Sequence, residues 1–253
     1  MTGSAAAWPR TPFSSSSLIR CLSDLDLGDG PAAGFAAPPK PTLAARLGDW
    51  LGWTDAIALS AALQRGAEPA PGPAAPVPGF DAAQAFARVR QDLTLGVLHD
   101  AVFAEAPADP GQTPSAPLPS ALPGGEAVTG FLPYRRGYLA HQRAMDARIG
   151  PLRVQVRAAL AARSPALRQL AALDAAMDAA LGPRERHLLA KVPAVLERHY
   201  ARLQPALPTP QAAPGLSAFC RDAQGVLLAE LDFRLQATAG MVEALGLEAA
   251  GAP

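Results

Sequence analysis

The chain is short of lysine. Lys40 and Lys191 are the only two in 253 residues, so arginine carries almost all of its positive charge. Heavy use of Ala, Pro, Gly and Arg with so little Lys is what GC-rich codons produce, and part of the Ala and Pro richness is therefore genome bias. Cysteine is scarce too. Cys21 and Cys220 are too few and too far apart for a zinc motif or a disulfide framework. Each sits on a helical pattern and reads as a small buried thiol. No run reaches 18 uncharged apolar residues, which excludes a membrane-spanning helix. The opening MTGSAAAWPRTPFSSSS has no charged region followed by an apolar one, which argues against a secretory signal. The cytoplasm is the expected compartment. The phosphate loop, the dinucleotide fingerprint, the nucleophile elbow and the kinase signatures are all missing. No enzyme, no catalytic residue, no cofactor and no metal is expected.

Net charge is zero, which argues against a generic nucleic-acid coat. The charge is segregated, however. Residues 1–130 hold 7 basic and 12 acidic groups, residues 131–204 hold 13 and 5, and residues 205–253 hold 2 and 5. Either the acidic flanks fold against the basic middle, or the arginine faces meet an acidic partner; opposite fields favour the first.

What is present is helical period. Strand-like alternation of β-branched residues is missing almost everywhere. Leu18, Cys21, Leu22 and Leu25 follow i, i+3, i+4, i+7 after a serine run that offers N-caps. Leu43, Leu47, Trp50, Thr54, Ile57 and Ala61 make a second stripe. Phe86, Val89, Leu93 and Val97 make a third, with Asp81 as N-cap. The densest pattern runs from Tyr134 through Tyr138, His141, Met145, Ile149, Leu152 and Val156 to Leu160. It keeps its phase across Gly150-Pro151, so a kink is expected there rather than a stop. Ser164-Pro165 reads as an N-cap followed by proline at the first helical position. Gly182-Pro183 reads as a stop and a new start, and Pro193 as another kink. Leu228, Leu231, Leu235, Thr238, Val242 and Leu245 form the last stripe, with Phe219 and Val226 in an adjacent row.

Pro- and Ala-rich stretches separate these patterns at Gly28–Pro41, Glu68–Gly79, Pro107–Gly125 and Gln204–Gly215. The expected fold class is therefore all-α, an antiparallel bundle of six or seven helices with Pro/Ala-rich linkers. The expected organisation is an N-terminal helix and linker over 1–41 and two helices with a Pro-rich linker over 42–105. A disordered linker over 106–130 follows, then an Arg-rich helical core over 131–204, then a linker and a heptad helix over 205–253.

His187 and His199 are twelve residues apart, about 120° past three full turns, so one helix face cannot hold both. Asp174 and Asp178, at i, i+4, read as two solvated acids on an outer face. His141 reads as a core histidine with one hydrogen bond. The arginines are the more informative set. Arg136 and Arg143 are seven apart, near one row if Gly137 is helical, with Arg135 beside them; Arg153 and Arg157 share a face at i, i+4. Such faces suit phosphate or carboxylate groups. With Tyr134 and Tyr138 close by, single-stranded nucleic acid is one conceivable ligand. The bland alternative is a solvated face that pairs with acidic helices. Trp50 and Trp53, three apart, serve a protein-binding hot spot or a core equally well.

Three segments, RTPFSSSSLIR at 10–20, LGDWLGWTDA at 47–56 and FLPYRRGYLAHQRA at 131–144, resemble a family of uncharacterised proteobacterial proteins of about this length. The resemblance implies no activity and no catalytic residue. It implies a cytoplasmic accessory encoded near a proton-channel protein and a peptidoglycan-binding protein of the cell envelope. The reading that follows is a non-enzymatic helical scaffold or adaptor for another protein, with a second copy of the chain among the admissible partners. The alternative is an arginine-mediated binder of nucleic acid or another polyanion. The expected interaction residues are Trp50, Trp53, Tyr134, Arg135, Arg136, Tyr138, Arg143, Arg153 and Arg157.

Overall fold

A computed structural model describes residues 17–26, 52–64, 79–104, 130–203 and 213–251. The second stripe's Leu43, Leu47 and Trp50 and most of the Pro-rich stretches lie outside the described residues. Seven α-helices are described: α1 (Ser17–Asp26), α2 (Trp53–Gln64), α3 (Ala82–Leu98), α4 (Leu132–Arg163), α5 (Pro165–Leu189), α6 (Val192–Leu203) and α7 (Ala213–Gly251). No strand occurs among the described residues. The chain is an all-α multi-helix bundle.

The long α7 is its axis, packing against α1, α3, α4, α5 and α6. The sequence explains why. Phe219, Ala223, Val226, Leu227, Leu231, Leu235 and Met241 are buried and spread over a wide arc of the helix. A helix apolar over so wide an arc must be covered by several neighbours. The main core joins α7 to α1, α3, the first half of α4 and α6, and includes Val97, Phe103, Tyr138, Met145 and Leu196. A smaller core holds Leu152, Val156 and Leu160 of α4 against Ala171 of α5 and Met241 of α7.

The end signals are read by backbone geometry. The Asp81 carboxylate accepts from Gln84 N at 2.9 Å and caps α3. The Ser164 hydroxyl accepts from Leu167 N at 3.3 Å, with Pro165 as the first residue of α5. Each such cap contributes about 1 kcal/mol. Gly137 is helical, and the turn after α3 lies on it. A Cβ there would sit 3.2 Å from the Phe103 ring.

The prolines behave in three ways. α4 runs unbroken through Pro151, as expected. α5 also runs unbroken through Pro183, so the expected stop at Gly182-Pro183 does not occur. In both cases the proline and the residue four before it, Ala147 or Ala179, are exposed, so the carbonyl that loses its N–H partner can bond to water. Pro193 is not a kink. The chain turns at Ala190-Lys191, and Pro193 occupies the second position of α6, where a missing N–H costs nothing. The second stripe is also out of phase. Thr54 and Ile57 are exposed, whereas Ala62 is buried and Asp55 and Leu59 are half-buried on the side toward α5. α2 is apolar on almost every side, so period alone could not choose its face.

Candidate interaction site

Two charged networks sit on α4. The first is in the core. Glu230 of α7 is completely buried at 0% exposure. Tyr138 Oη donates to Glu230 Oε2 at 2.6 Å, and Gln142 Nε2 donates to Oε1 at 2.9 Å. Arg234, one turn on, donates from Nε to Oε1 at 2.9 Å and from its other end to Asp146 at 2.6 Å. The buried carboxylate is thus surrounded by donors, which is the condition for keeping a charge in the interior. Burial, and then the neighbouring Glu230 carboxylate, push the Tyr138 phenol well above its ordinary value. Burial alone would lower the Arg234 guanidinium; Glu230 and Asp146 outweigh it and hold it above the usual value.

The second network ties α4 to α5. Arg153 grips Asp174 with two bonds of 2.9 and 2.6 Å and reaches Asp178 at 2.9 Å. Arg157 binds the same two acids at 2.6 and 2.8 Å. Burial pushes the Asp174 carboxyl up, but the hydrogen bonds from Arg153 and Arg157 outweigh it and hold Asp174 below the usual carboxylate range. The expectation that Asp174 and Asp178 are solvated acids on an outer face is therefore corrected. They face two arginines across an antiparallel helix pair, and bidentate geometry makes the contact strong.

Beside this network an open groove of about 540 Å³ runs between α5 and α7. Leu173, Met177 and Leu181 form one wall; Phe233, Ala237 and Met241 form the other. Glu185 lines it as well and makes no hydrogen bond or ion pair among the described residues. Burial raises its carboxyl, an effect that Arg234 and Arg153 oppose without cancelling.

The sequence-derived residues fall into four groups. Tyr138 is a core residue at 0% exposure, so it presents no surface to a partner. Its hydroxyl found the buried acid one turn beyond Val226. Tyr134 is half-buried, with ring centroids 5.0 Å from Phe219 and 5.7 Å from Tyr200. Burial is the main cause that pushes its phenol up to about 12. It is a packing residue rather than a stacking platform. Arg153 and Arg157 are engaged with α5. Arg135, Arg136 and Arg143 are exposed and have no acidic partner among the described residues. Trp53 is exposed at 82%, and Trp50 lies outside the described residues.

Two of the four histidines lie against acids. His141 Nε2 lies 2.7 Å from Asp100, and His199 Nε2 lies 2.8 Å from Asp222. His187 is exposed on α5, apart from them. Among the described residues no three His, Cys, Asp or Glu side chains are arranged to hold a metal ion. No described helix is long and apolar enough to cross a membrane. The acidic flanks do meet the basic middle at Asp92 with Arg148, at Asp100 with His141 and at Asp222 with His199.

A family model described as "protein of unknown function (DUF3348)" matches residues 5–247. The chain belongs to that family. No curated protein and no solved structure matches this DUF3348 chain. The segment resemblance at 10–20, 47–56 and 131–144 thus resolves to an uncharacterised family, and membership brings no activity with it. Glu230, Gln142, Asp146 and Arg234 were not singled out from sequence. A lone glutamate inside the apolar run Gly225–Leu231 was the available signal for Glu230.

Proposed function

We propose that this protein is a non-enzymatic, cytoplasmic helical adaptor that binds another protein. The observation that carries the reading is the outer face of α2. Trp53, Ile57 and Leu63 are exposed at 82%, 54% and 55%, and no charged residue lies between Ala56 and Gln64. A helix apolar on all sides is ordinarily covered on all sides. Exposed tryptophan on such a helix is what a partner's apolar surface would desolvate. An accessory role in an envelope proton-channel complex is the concrete partner class that the segment resemblance implies.

Affinity capture of the tagged chain from its own bacterium, at low and at high salt, tests the reading against a Trp53→Ser, Ile57→Ser variant. The expected result is a specific protein that survives high salt with the wild type and is lost with the variant. A partner list identical for both would overturn it.

The second reading is a polyanion binder, and the exposed Arg135, Arg136 and Arg143 favour it. It predicts nucleic acid recovered at low salt, released at high salt, and lost when the three are changed to Gln.

A further inference from the structure

α4 carries seven arginines and a single acid. That acid, Asp146, is bound by Arg234. Arg148 pairs with Asp92, and Arg153 and Arg157 share Asp174 and Asp178. Arg163 is exposed at the C-terminal end. Arg135, Arg136 and Arg143 remain, exposed near the N-terminal end and without an acidic partner among the described residues. The neighbouring elements do not neutralise them. On α3 and the turn after it, Asp92 and Asp100 are taken up by Arg148 and His141, and Arg88 and His99 are exposed. On α7, Glu230 and Asp232 are bound by Arg234 and Arg90. On α5, Glu185 feels Arg234, Arg153 and Arg186, and His187 is exposed. On α6, exposed Glu197 stands beside exposed Arg198, with Lys191 exposed at the corner. The surface around the first half of α4 is therefore positive.

Arg136 and Arg143 belong to one outward row. Leu132, Arg136, Ala140, Arg143 and Ala147 step by three and four, and all are exposed. α4 packs against α3, α5, α6 and α7, and none of these covers the row. Alanines between the arginines let another helix approach closely. The second half of α4 shows what such a row accepts. There, two arginines four apart grip two acids four apart on an antiparallel helix, with bonds of 2.6 to 2.9 Å. By the same geometry, arginines seven apart, about 10.5 Å along the axis, fit acids seven apart on a crossing helix. Single-stranded nucleic acid is the poorer fit. It needs aromatic side chains for stacking, and Tyr134 and Tyr138 are packed inward.

We propose that the Leu132–Ala147 row of α4 docks an acidic amphipathic helix of a partner protein, whose carboxylates seven residues apart meet Arg136 and Arg143. The proposal rests on the adaptor reading and gives it a surface separate from the Trp53 face. A single exposed ion pair contributes little, so recognition requires both arginines and the small apolar residues between them.

The test measures fluorescence anisotropy of labelled probes with the full chain at low salt. Two probes are lactam-stapled 14-residue helical peptides of identical composition, with Leu and Ala on one face and two Glu. In one the Glu are seven apart, on one face. In the other they are nine apart, two and a half turns, and so on opposite faces. The third probe is a twelve-nucleotide oligothymidylate. The in-phase peptide is expected to bind about tenfold more tightly than its isomer. Arg136→Gln with Arg143→Gln should abolish that preference. Arg88→Gln with Arg163→Gln removes the same charge elsewhere and should preserve it. Melting curves of both double variants check the fold. Failure of the in-phase peptide to bind overturns the proposal. So do equal affinities for the two isomers, or equal losses from the two double variants, which would mean bulk charge alone. Tighter binding of the oligothymidylate than of the in-phase peptide also overturns it and assigns the arginines to a polyanion. No probe touches the Trp53 face, so failure here leaves the adaptor reading to the capture experiment, and a failed capture leaves these affinities unchanged.

Discussion

Both halves of α4 are rich in arginine, but most of those arginines meet different surroundings. From Leu132 to Ile149, Arg135, Arg136 and Arg143 project into solvent and Arg148 pairs with Asp92 of α3 at the surface, while the inner side enters the main core through Tyr138 and Met145. From Gly150 to Arg163, Arg153 and Arg157 are half-buried and locked on Asp174 and Asp178. Composition does not separate them. The helix opposite does. α5 leaves the Ser164 corner antiparallel to α4 and brings two acids at i, i+4 against two arginines at i, i+4. An arginine row becomes structural where a matching acid row crosses it and remains available where none does.

The largest effect is expected beneath the first half. Glu230→Ala would leave Arg234, Tyr138 and Gln142 without their shared acceptor. The expected loss is about 3–5 kcal/mol in urea unfolding. A loss under about 1 kcal/mol would mean that water replaces the carboxylate and that the network does not organise the core.

Asp174→Asn is next and probes the second half. Two guanidinium groups lose their central anion, at a cost of about 1–3 kcal/mol after allowance for solvent screening. The sign with pH is definite. The Asp174 carboxyl sits below the usual carboxylate range in the folded state, so its contribution is complete above that range. It is lost as pH falls through the depressed value. The variant should therefore have a flatter acid side in a plot of Tm against pH. An unchanged acid side would show that Arg153 and Arg157 hold the helices by packing alone.

Glu185→Gln should act in the opposite direction. Burial raises this carboxyl, so ionising it costs stability as pH rises from the ordinary glutamate range through the raised value. The variant is expected to melt slightly higher than the wild type at neutral pH and to match it in acid. A lower Tm at neutral pH would mean that Glu185 has a stabilising partner.

The smallest effect sharpens the contrast within α4. Changing Arg135, Arg136 and Arg143 together to Gln should alter stability by no more than about 0.5 kcal/mol, because exposed groups without partners contribute little. The same change at Arg153 and Arg157 should cost several times more. Equal costs for the two sets would erase the distinction between the halves.

Much of the local structure was legible. Asp81 and Ser164-Pro165 announced two helix starts, because a cap is a matter of a few adjacent atoms. The stripe from Tyr134 to Leu160 read as one helix across Pro151, because apolar phase is carried by the chain itself. Pro183 misled, since its cost depends on whether Ala179 faces water, which is a property of the bundle. The α2 face misled for a related reason: with apolar residues all round, only α5 decides which side is covered. The pairs Arg153/Arg157 and Asp174/Asp178 were each visible at i, i+4. Their meeting was implicit in a hairpin at Ser164, which places residues before and after the corner opposite each other. Glu185 gave no such sign, because its lack of a partner depends on how Arg153 and Arg234 are already bonded.

By itself, the sequence determined the all-α class, several helix ends and the segregation of arginine into one stretch, because propensity, capping and periodicity act over a few residues. Only the tertiary structure decided that α7 is the axis and that Glu230 is a buried acceptor. It also decided which arginines are bound and which face water, and that a carboxylate lines an open groove. Those outcomes depend on which residues from distant segments share a space, and Coulomb and desolvation energies act through that space and not along the chain.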